Sequence, residues 1–366
     1  MIAMHRRSFI LHSAILWLGL ALGGVGPAGA AEGAAPEVVI QAVGDCYLGG
    51  RRGAGLLAER GSAYPFAPTR ALLAEGDVNI ANLEGPLTGR GRPWLEKRFH
   101  FRMPPAVADA LRAAGFHAVS LANNHLMDYG PVGLTDTLAR LEATGIAHAG
   151  AGQDLAAARA PALIAVRGVT VALLSYTTTY PQEFYATRKR PGTVFPYEEY
   201  LARDLPAARA RADVVVVAFH WGPERSHHAL GHQEKLAHRV IDLGADLVIG
   251  HHPHVLQAVE WYRDRPIFYS LGNYAFASTA PGVKRAGLAR VRFRVAGAGA
   301  EPVVVALLPL NVAWAETTAA PVPLTGERGA RTIALVDRVS RPRGTTLRWQ
   351  GDRGIAVPLP RGPGGS

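Results

Sequence analysis

A single cysteine, Cys46, stands among the 366 residues. No internal disulfide can form, so the fold has to rest on its core. The chain has no block of five or more basic residues. It also lacks zinc-finger spacings, basic stretches interleaved with aromatics, and RNA-binding signatures, which sets nucleic acid aside as a partner. Beyond the first thirty residues no segment approaches eighteen consecutive apolar positions, so the mature chain carries no transmembrane signal. No internal repeat occurs.

Apolar residues and arginine are what the chain has in quantity. A hydrophobic content of 48% over this length supports a full core, as one large domain or as one domain with an appendage. The formal net charge of +10 favours anionic substrates or surfaces. Alternatively, arginine is simply the solubilising charge of an Ala/Arg/Gly-rich composition.

Residues 1–30 read as an export address. Arg6 and Arg7 precede an apolar stretch from Phe9 to Leu22, and Ala28-Gly29-Ala30 supplies a small-x-small cleavage pattern. A pair of arginines followed closely by a bulky apolar residue is similar to a twin-arginine signal, which carries folded proteins. An ordinary secretory signal is the competing reading. An uncleaved anchor fits less well, because His12 and Ser13 interrupt a short apolar run. The expected location is periplasmic or extracellular.

Five apolar runs then stop on residues of metal-ligand type. Val38 to Gly44 runs into Asp45, and Val78 to Leu83 runs into Glu84. Ala118 to Ala122 runs into Asn123-Asn124-His125, and Asp213 to Phe219 runs into His220. Asp246 to Gly250 runs into His251-His252-Pro253-His254. Short β-branched runs bounded by Gly, Asn and Asp read as buried strands. In open α/β sheets, ligands bind just beyond the carboxyl ends of such strands. Five such endings point to one convergent site rather than to unrelated turn residues. Cys46 follows Asp45 directly, so strand alternation turns it away as a buried small hydrophobe rather than a nucleophile.

Segments 65–75, 104–114, 131–144 and 232–243 show apolar residues at three- and four-residue spacing. The layout therefore alternates β and α. Further strands are expected at 169–176 and 266–271. A hairpin is expected from 288–295 and 302–312, joined by Ala296-Gly297-Ala298-Gly299-Ala300. Residues 313–366 read as a small β-rich C-terminal extension with strands at 332–336 and 345–349, and the last dozen residues as a disordered tail.

Asp45, Glu84, Asn124, His220, His252 and His254 make a mixed oxygen and nitrogen donor set. Such a set suits borderline divalent ions, with Mn, Zn or Fe foremost, rather than Ca or a thiolate-bound zinc. Six donors exceed what one four-coordinate zinc takes and suffice for two adjacent ions. Two ions clamp a phosphate-like group and lower the pKa of a bound water. His125 is then placed to act as general acid, with Asp128 orienting its ring or serving as a turn residue.

At the level of whole motifs, Asn82-Leu83-Glu84-Gly85-Pro86, Ala122 through Gly130, His220-Trp221-Gly222-Pro223-Glu224 and Gly244 through Gln257 resemble the CapA-type poly-γ-glutamate capsule biosynthesis proteins. Tyr269 through Tyr274 extends the match, which covers residues 38–280 in order. That family in turn resembles the calcineurin-like metallophosphoesterases. The resemblance implies a four-layer α/β/β/α sandwich, with residues 38–312 forming the domain around a dinuclear metal site. It also implies that Asp45 bridges or flanks the ions, that Asn124, His220 and His252 hold one, and that His254 reaches the other. Two positions depart from the metallophosphoesterase pattern. Tyr47 stands where the first motif has a histidine, and Glu84 where the second has an aspartate.

Other positions keep two readings. Glu224, Arg102, Asn273 and Tyr47 are candidate substrate contacts, with loop or turn roles as the alternative. Lys97, Arg98 and Arg102 flank Phe99-His100-Phe101 and either bind anions or solvate a strand edge. His227, His228 and His232 form a second metal site or solvated loop histidines. The functional expectation is metal-dependent hydrolysis of a phosphoester or of an amide in an anionic polymer, alongside capsule-synthesis membrane proteins. The alternative is a non-catalytic polymer-binding or export component.

The export reading is directly testable. Replacing Arg6 and Arg7 together by Lys is expected to block export by the twin-arginine route. Undiminished export of the wild-type chain through the general secretory pathway alone contradicts it.

Overall fold

The computed structural model describes residues 35–297 and 299–359. The export address at 1–30 and the last seven residues of the expected tail lie outside them. Among the described residues, ten strands form one sheet and six form another.

Strand Glu37–Tyr47 organises the first sheet. On one side Val78–Leu83, Ala118–Ser120 and Ala147–Ala149 follow in parallel. On its other side lies the hairpin of Arg285–Ala296 and Gly299–Asn311, antiparallel to it, then Arg353–Pro358 and Thr345–Gln350. The second sheet runs Val259–Tyr262, Arg265–Phe268, Leu247–His251, Val214–His220, Val169–Thr177, Ala162–Val166. Its three inner pairings are parallel.

Residue alternation shows how the layers stack. In Val214–His220 the side chains of Val214, Val216 and Ala218 enter a core shared with Val38, Ile40 and Ile80 of the first sheet. Val215, Val217 and Phe219 point the other way, against Leu201, Leu205 and Val240. Those three lie on helices Glu198–Arg209 and Gly231–Asp242, which cover the second sheet. Helices Val107–Ala114 and Gly130–Thr144 cover the first, through Leu111 and Leu134. A strand buried on both faces reads as a continuous apolar run, which is why these segments show no polar alternation. The layers are therefore helix, sheet, sheet, helix, as the resemblance implied.

Two corrections fall in the C-terminal part. Residues 332–336, expected as a strand, lie inside helix Gly326–Ser340. Ile333 and Val336 join the core between the sheets from one face of that helix, so packing overrides their β-branched preference. Residues 355–358, expected in the tail, belong to strand Arg353–Pro358, which pairs with Gly299–Asn311. The segment 65–75 is a 3₁₀ turn, Tyr64–Thr69, running into the short helix Arg70–Leu73.

Two glycines let the strands close up where the ligand-type residues begin. A Cβ on Gly44 would lie 1.9 Å from the Gly272 carbonyl oxygen. One on Gly250 would lie 1.9 Å from the Tyr269 carbonyl oxygen and 2.6 Å from the Trp221 ring nitrogen. Gly250→Ala is therefore expected to cost about 3 kcal/mol or more, the upper end of overpacking penalties. Urea unfolding checks this, as a lowered midpoint at unchanged slope. A variant as stable as the parent contradicts the close approach.

Candidate metal centre

Strand register collects the candidate residues before any side chain is considered. Asp45 pairs with Asn82 on one side and with Asn273 on the other. His220 pairs with His251 across the second sheet. Glu84 follows strand Val78–Leu83 by one residue, and Asn123 to His125 follow Ala118–Ser120. After His251 the chain turns sharply, with His252 and His254 at φ of 90° and 60°. Left-handed backbone at a non-glycine residue costs on the order of 1–3 kcal/mol and gathers at functional sites.

Asp45 is fully buried and well served. Asn82 Nδ2 donates to its Oδ1 (2.8 Å) and the His252 backbone N–H to its Oδ2 (3.2 Å). His254 Nδ1 lies 3.2 Å from Oδ2. His251 Nδ1 comes to 3.4 Å of Oδ1, and among the described residues neither His251 ring nitrogen has a hydrogen-bond partner. Burial raises the Asp45 carboxyl, but His251 and His254 outweigh it and hold the group well below the usual carboxylate range.

Glu84 is the opposite case. It is 0% exposed, and among the described residues neither carboxylate oxygen has a hydrogen-bond partner. Among the described residues, the charged or basic groups within 4.0 Å of it are imidazoles, with His220 Nε2 at 3.7 Å, His254 Nε2 at 3.8 Å and His125 Nε2 at 4.0 Å from Oε1. Burial pushes its carboxyl well above the ordinary range, against the pull of His254. His220 Nε2 meets Asn124 Oδ1 at 2.9 Å and His252 Nδ1 at 3.1 Å. Burial, then the neighbouring imidazoles, depresses His220 and takes His252 down to about 3. Both rings are neutral near pH 7, the state in which imidazole binds metal. Burial also opposes the charge on His254, but Glu84 and Asp45 raise it to about 10. Without metal that proton offsets the Asp45 charge, and a cation bound at this point would take the proton's place.

This donor set fits a divalent cation. Glu84, His252 and His254 each offer a ligand atom, all within 4.8 Å of one another. A buried carboxylate with no donor costs several kcal/mol unless a cation or proton meets it. The six residues expected from sequence, Asp45, Glu84, Asn124, His220, His252 and His254, form one contact network.

Beside the network, His125 Nδ1 meets Asp128 Oδ2 at 2.6 Å. Lys97 bonds the other Asp128 oxygen and the Asn124 carbonyl, and the Phe101 N–H donates to Asp128 Oδ2 at 2.7 Å. Burial lowers Lys97 against the pull of Asp128, and takes His125 down to about 4 despite the same partner. The Phe101 ring stacks on His125, with centroids 3.7 Å apart, and on Tyr47 at 4.0 Å. Tyr47 is thus part of an aromatic wall, its hydroxyl turned towards Gly50 and the Arg102 backbone.

The remaining sequence candidates divide. Asn273 is buried, with Oδ1 2.7 Å from His254 Nδ1, and so orients that ring. Arg102 lays its guanidinium over the Tyr129 ring, 4.4 Å from the centroid, and Glu224 is exposed. His227, His228 and His232 do not gather as a ligand group among the described residues. Sequence reading gave no role to His251 or Phe101, and left Lys97 between anion binding and surface solvation. Lys97 and Phe101 sit in an irregular loop, where periodicity carries no signal.

The sequence pattern of the bacterial capsule synthesis protein family PGA_cap matches residues 39–278. The chain is 31% identical over 283 residues to the capsule biosynthesis protein CapA of Bacillus anthracis, covering 75% of this chain and 68% of that one. It is 32% identical over 282 residues to the PGA biosynthesis protein CapA of Bacillus subtilis (strain 168), covering 76% and 72%. Among solved structures it is similar to the calcineurin-like phosphoesterase YfkN from Bacillus subtilis, with a TM-score of 0.47 and 15% identity, over 82% of this chain and 97% of that one.

If a cation answers the buried carboxylates, His252→Ala together with His254→Ala should take the metal content from at least one ion per chain to none. Elemental analysis reads this directly. The double variant should also lose the metal-induced gain in stability, about 2.7 kcal/mol at a hundredfold excess over Kd. Unchanged metal content removes this site from consideration.

Proposed function

The chain belongs to the bacterial capsule synthesis protein family, and from that premise we propose that it is an exported, metal-dependent hydrolase of anionic-polymer synthesis or processing. Its bond of attack is a phosphoester or an amide, and its polymer is of the poly-γ-glutamate kind. The observation that carries the reading is Glu84, a fully buried carboxylate with no hydrogen-bond donor, ringed by imidazoles. Asp45, Glu84, Asn124, His220, His252 and His254 would hold divalent metal, Mn, Zn or Fe, with donors enough for two ions. Such ions polarise the group under attack and favour ionisation of water near neutral pH.

The protein's own residues manage the proton. Asp128 fixes Nδ1 of His125, which leaves Nε2 directed at the donor cluster. Burial keeps the ring neutral near pH 7, so it first accepts. His125 takes a proton from the attacking water as the new bond to phosphorus or carbon forms. It returns that proton to the leaving oxygen or nitrogen as the old bond breaks. The acid role expected from sequence thus follows from a prior base role. Lys97 and Phe101 hold Asp128 and the imidazole in place. Periplasmic or extracellular placement and contact with capsule-synthesis membrane proteins belong to the same proposal.

A second reading, a non-catalytic polymer-binding or export component, draws on Tyr47. Its ring lies in the aromatic stack with Phe101 and adds no nitrogen donor to the cluster.

The test is turnover by metal-loaded protein on aryl phosphate esters and on poly-γ-glutamate. His125→Ala is expected to lower kcat by roughly 10²–10⁴-fold with metal content retained. Turnover equal to wild type in His125→Ala contradicts the proton role. No turnover of either substrate class by the loaded wild-type protein favours the non-catalytic reading.

A further inference from the structure

The two loops that carry the imidazoles of the second sheet have another side. The chain after His220 runs on to His227 and His228, and the chain after His254 continues as Val255 and Leu256. The Arg225 N–H donates to the Pro253 carbonyl at 2.8 Å, and His227 Nδ1 meets the Leu256 carbonyl at 2.8 Å. These bonds tie the loops together. They wall a cavity of about 880 Å³, closed on its other side by helix Gly326–Ser340. Ligand sites run to roughly 300–1,000 Å³, so the space is of functional size.

The lining has a consistent chemistry. Val255, Leu256, Leu335 and Val336 make an apolar floor. Both carboxylates of the lining are already engaged. Glu234 pairs with Arg343, while Glu260 meets His238 at 2.8 Å and the Tyr269 hydroxyl at 2.7 Å. Lys284, Arg285 and Arg338 are different, since none has a carboxylate within 4.0 Å among the described residues. Lys284 and Arg285 also wall an adjoining cavity of about 240 Å³, which Arg331 and Glu316 line as well, Arg331 pairing with Glu327 and Glu316 with Arg328 at 2.8 Å. On the helix, Arg331, Leu335 and Arg338 recur at intervals of four and three and so share one face.

We propose that these adjoining cavities form a subsite for an extended polycarboxylate chain, with Lys284, Arg285 and Arg338 as its cationic contacts. Cations spread over two joined cavities suit repeated carboxylates better than one compact anion, and the apolar floor suits the methylene groups between them. Leu256 follows His254 by two residues, a reach of about 7 Å of chain, so the subsite begins beside the metal centre. The inference rests on the polymer reading above and adds where the chain lies.

The experiment is fluorescence anisotropy with a labelled, short γ-linked glutamate oligomer and the full-length, metal-loaded protein. Replacing Lys284, Arg285 and Arg338 together by Ala is expected to weaken binding at least about tenfold and to flatten its salt dependence, with metal content unchanged. Leu335→Glu, which puts an anion on the floor without removing a cation, should weaken it as well. Retained binding in the metal-free His252→Ala, His254→Ala protein, together with loss in the triple variant, supports the subsite. Wild-type affinity in both the triple variant and Leu335→Glu overturns it and leaves the functional reading intact. No binding by the wild-type protein overturns the polymer reading, and the subsite with it.

Discussion

Two carboxylates sealed from water at the ends of neighbouring parallel strands set the terms for everything around them. Asp45 and Glu84 are both fully buried, Asp45 on a strand and Glu84 one residue beyond the strand that pairs with it. Removing one such charge from water costs several kcal/mol unless hydrogen bonds or a counter-charge offset it. Asp45 receives an amide, a backbone N–H and imidazoles. Glu84 has imidazoles nearest to it, and among the described residues both of its oxygens lack a donor. A protein that retains this arrangement has a positive charge to place there, and the strained turn at His252 and His254 aims two rings at that point.

The two-sheet architecture makes the encounter possible. The first sheet supplies the oxygen ligands and the second supplies His220, His252 and His254. Neither sheet holds a complete set. Gly44 and Gly250 stand one residue before Asp45 and His251, where any side chain would collide with the Gly272 or Tyr269 backbone, each one residue outside a neighbouring strand. The same closeness lets Asn273 reach His254 and the Gly272 carbonyl meet the Asp45 N–H at 3.0 Å. Packing and chemistry are therefore not separable here, because the geometry of the site is the geometry of the strand ends.

Much of this was legible in the chain. Buried parallel strands show as unbroken apolar runs, and the residue that ends each run is where a ligand belongs, so Asp45, Glu84, His220 and the His251 to His254 turn stood out. The order of layers followed from the family resemblance. What stayed hidden has physical causes. Lys97 and Phe101 reach His125 and Asp128 from an irregular loop, where no period marks the inward residues. His251 sat beside two better candidates, and only its buried, unpartnered nitrogens distinguish it. Thr332 and Ile333 look like strand residues, yet the helix that contains them is fixed by packing on the sheet core, which local propensity does not encode.

The central claim is that a divalent cation meets Glu84. An anomalous-difference map from crystals grown with Mn²⁺ and recorded above the manganese absorption edge tests it most directly. The account predicts a peak within coordination distance of a Glu84 oxygen and of imidazole nitrogens from His252 and His254, about 2.0–2.3 Å, with oxygen and nitrogen donors only. A map with no peak there, and Glu84 bonded instead to ordered water, would contradict it.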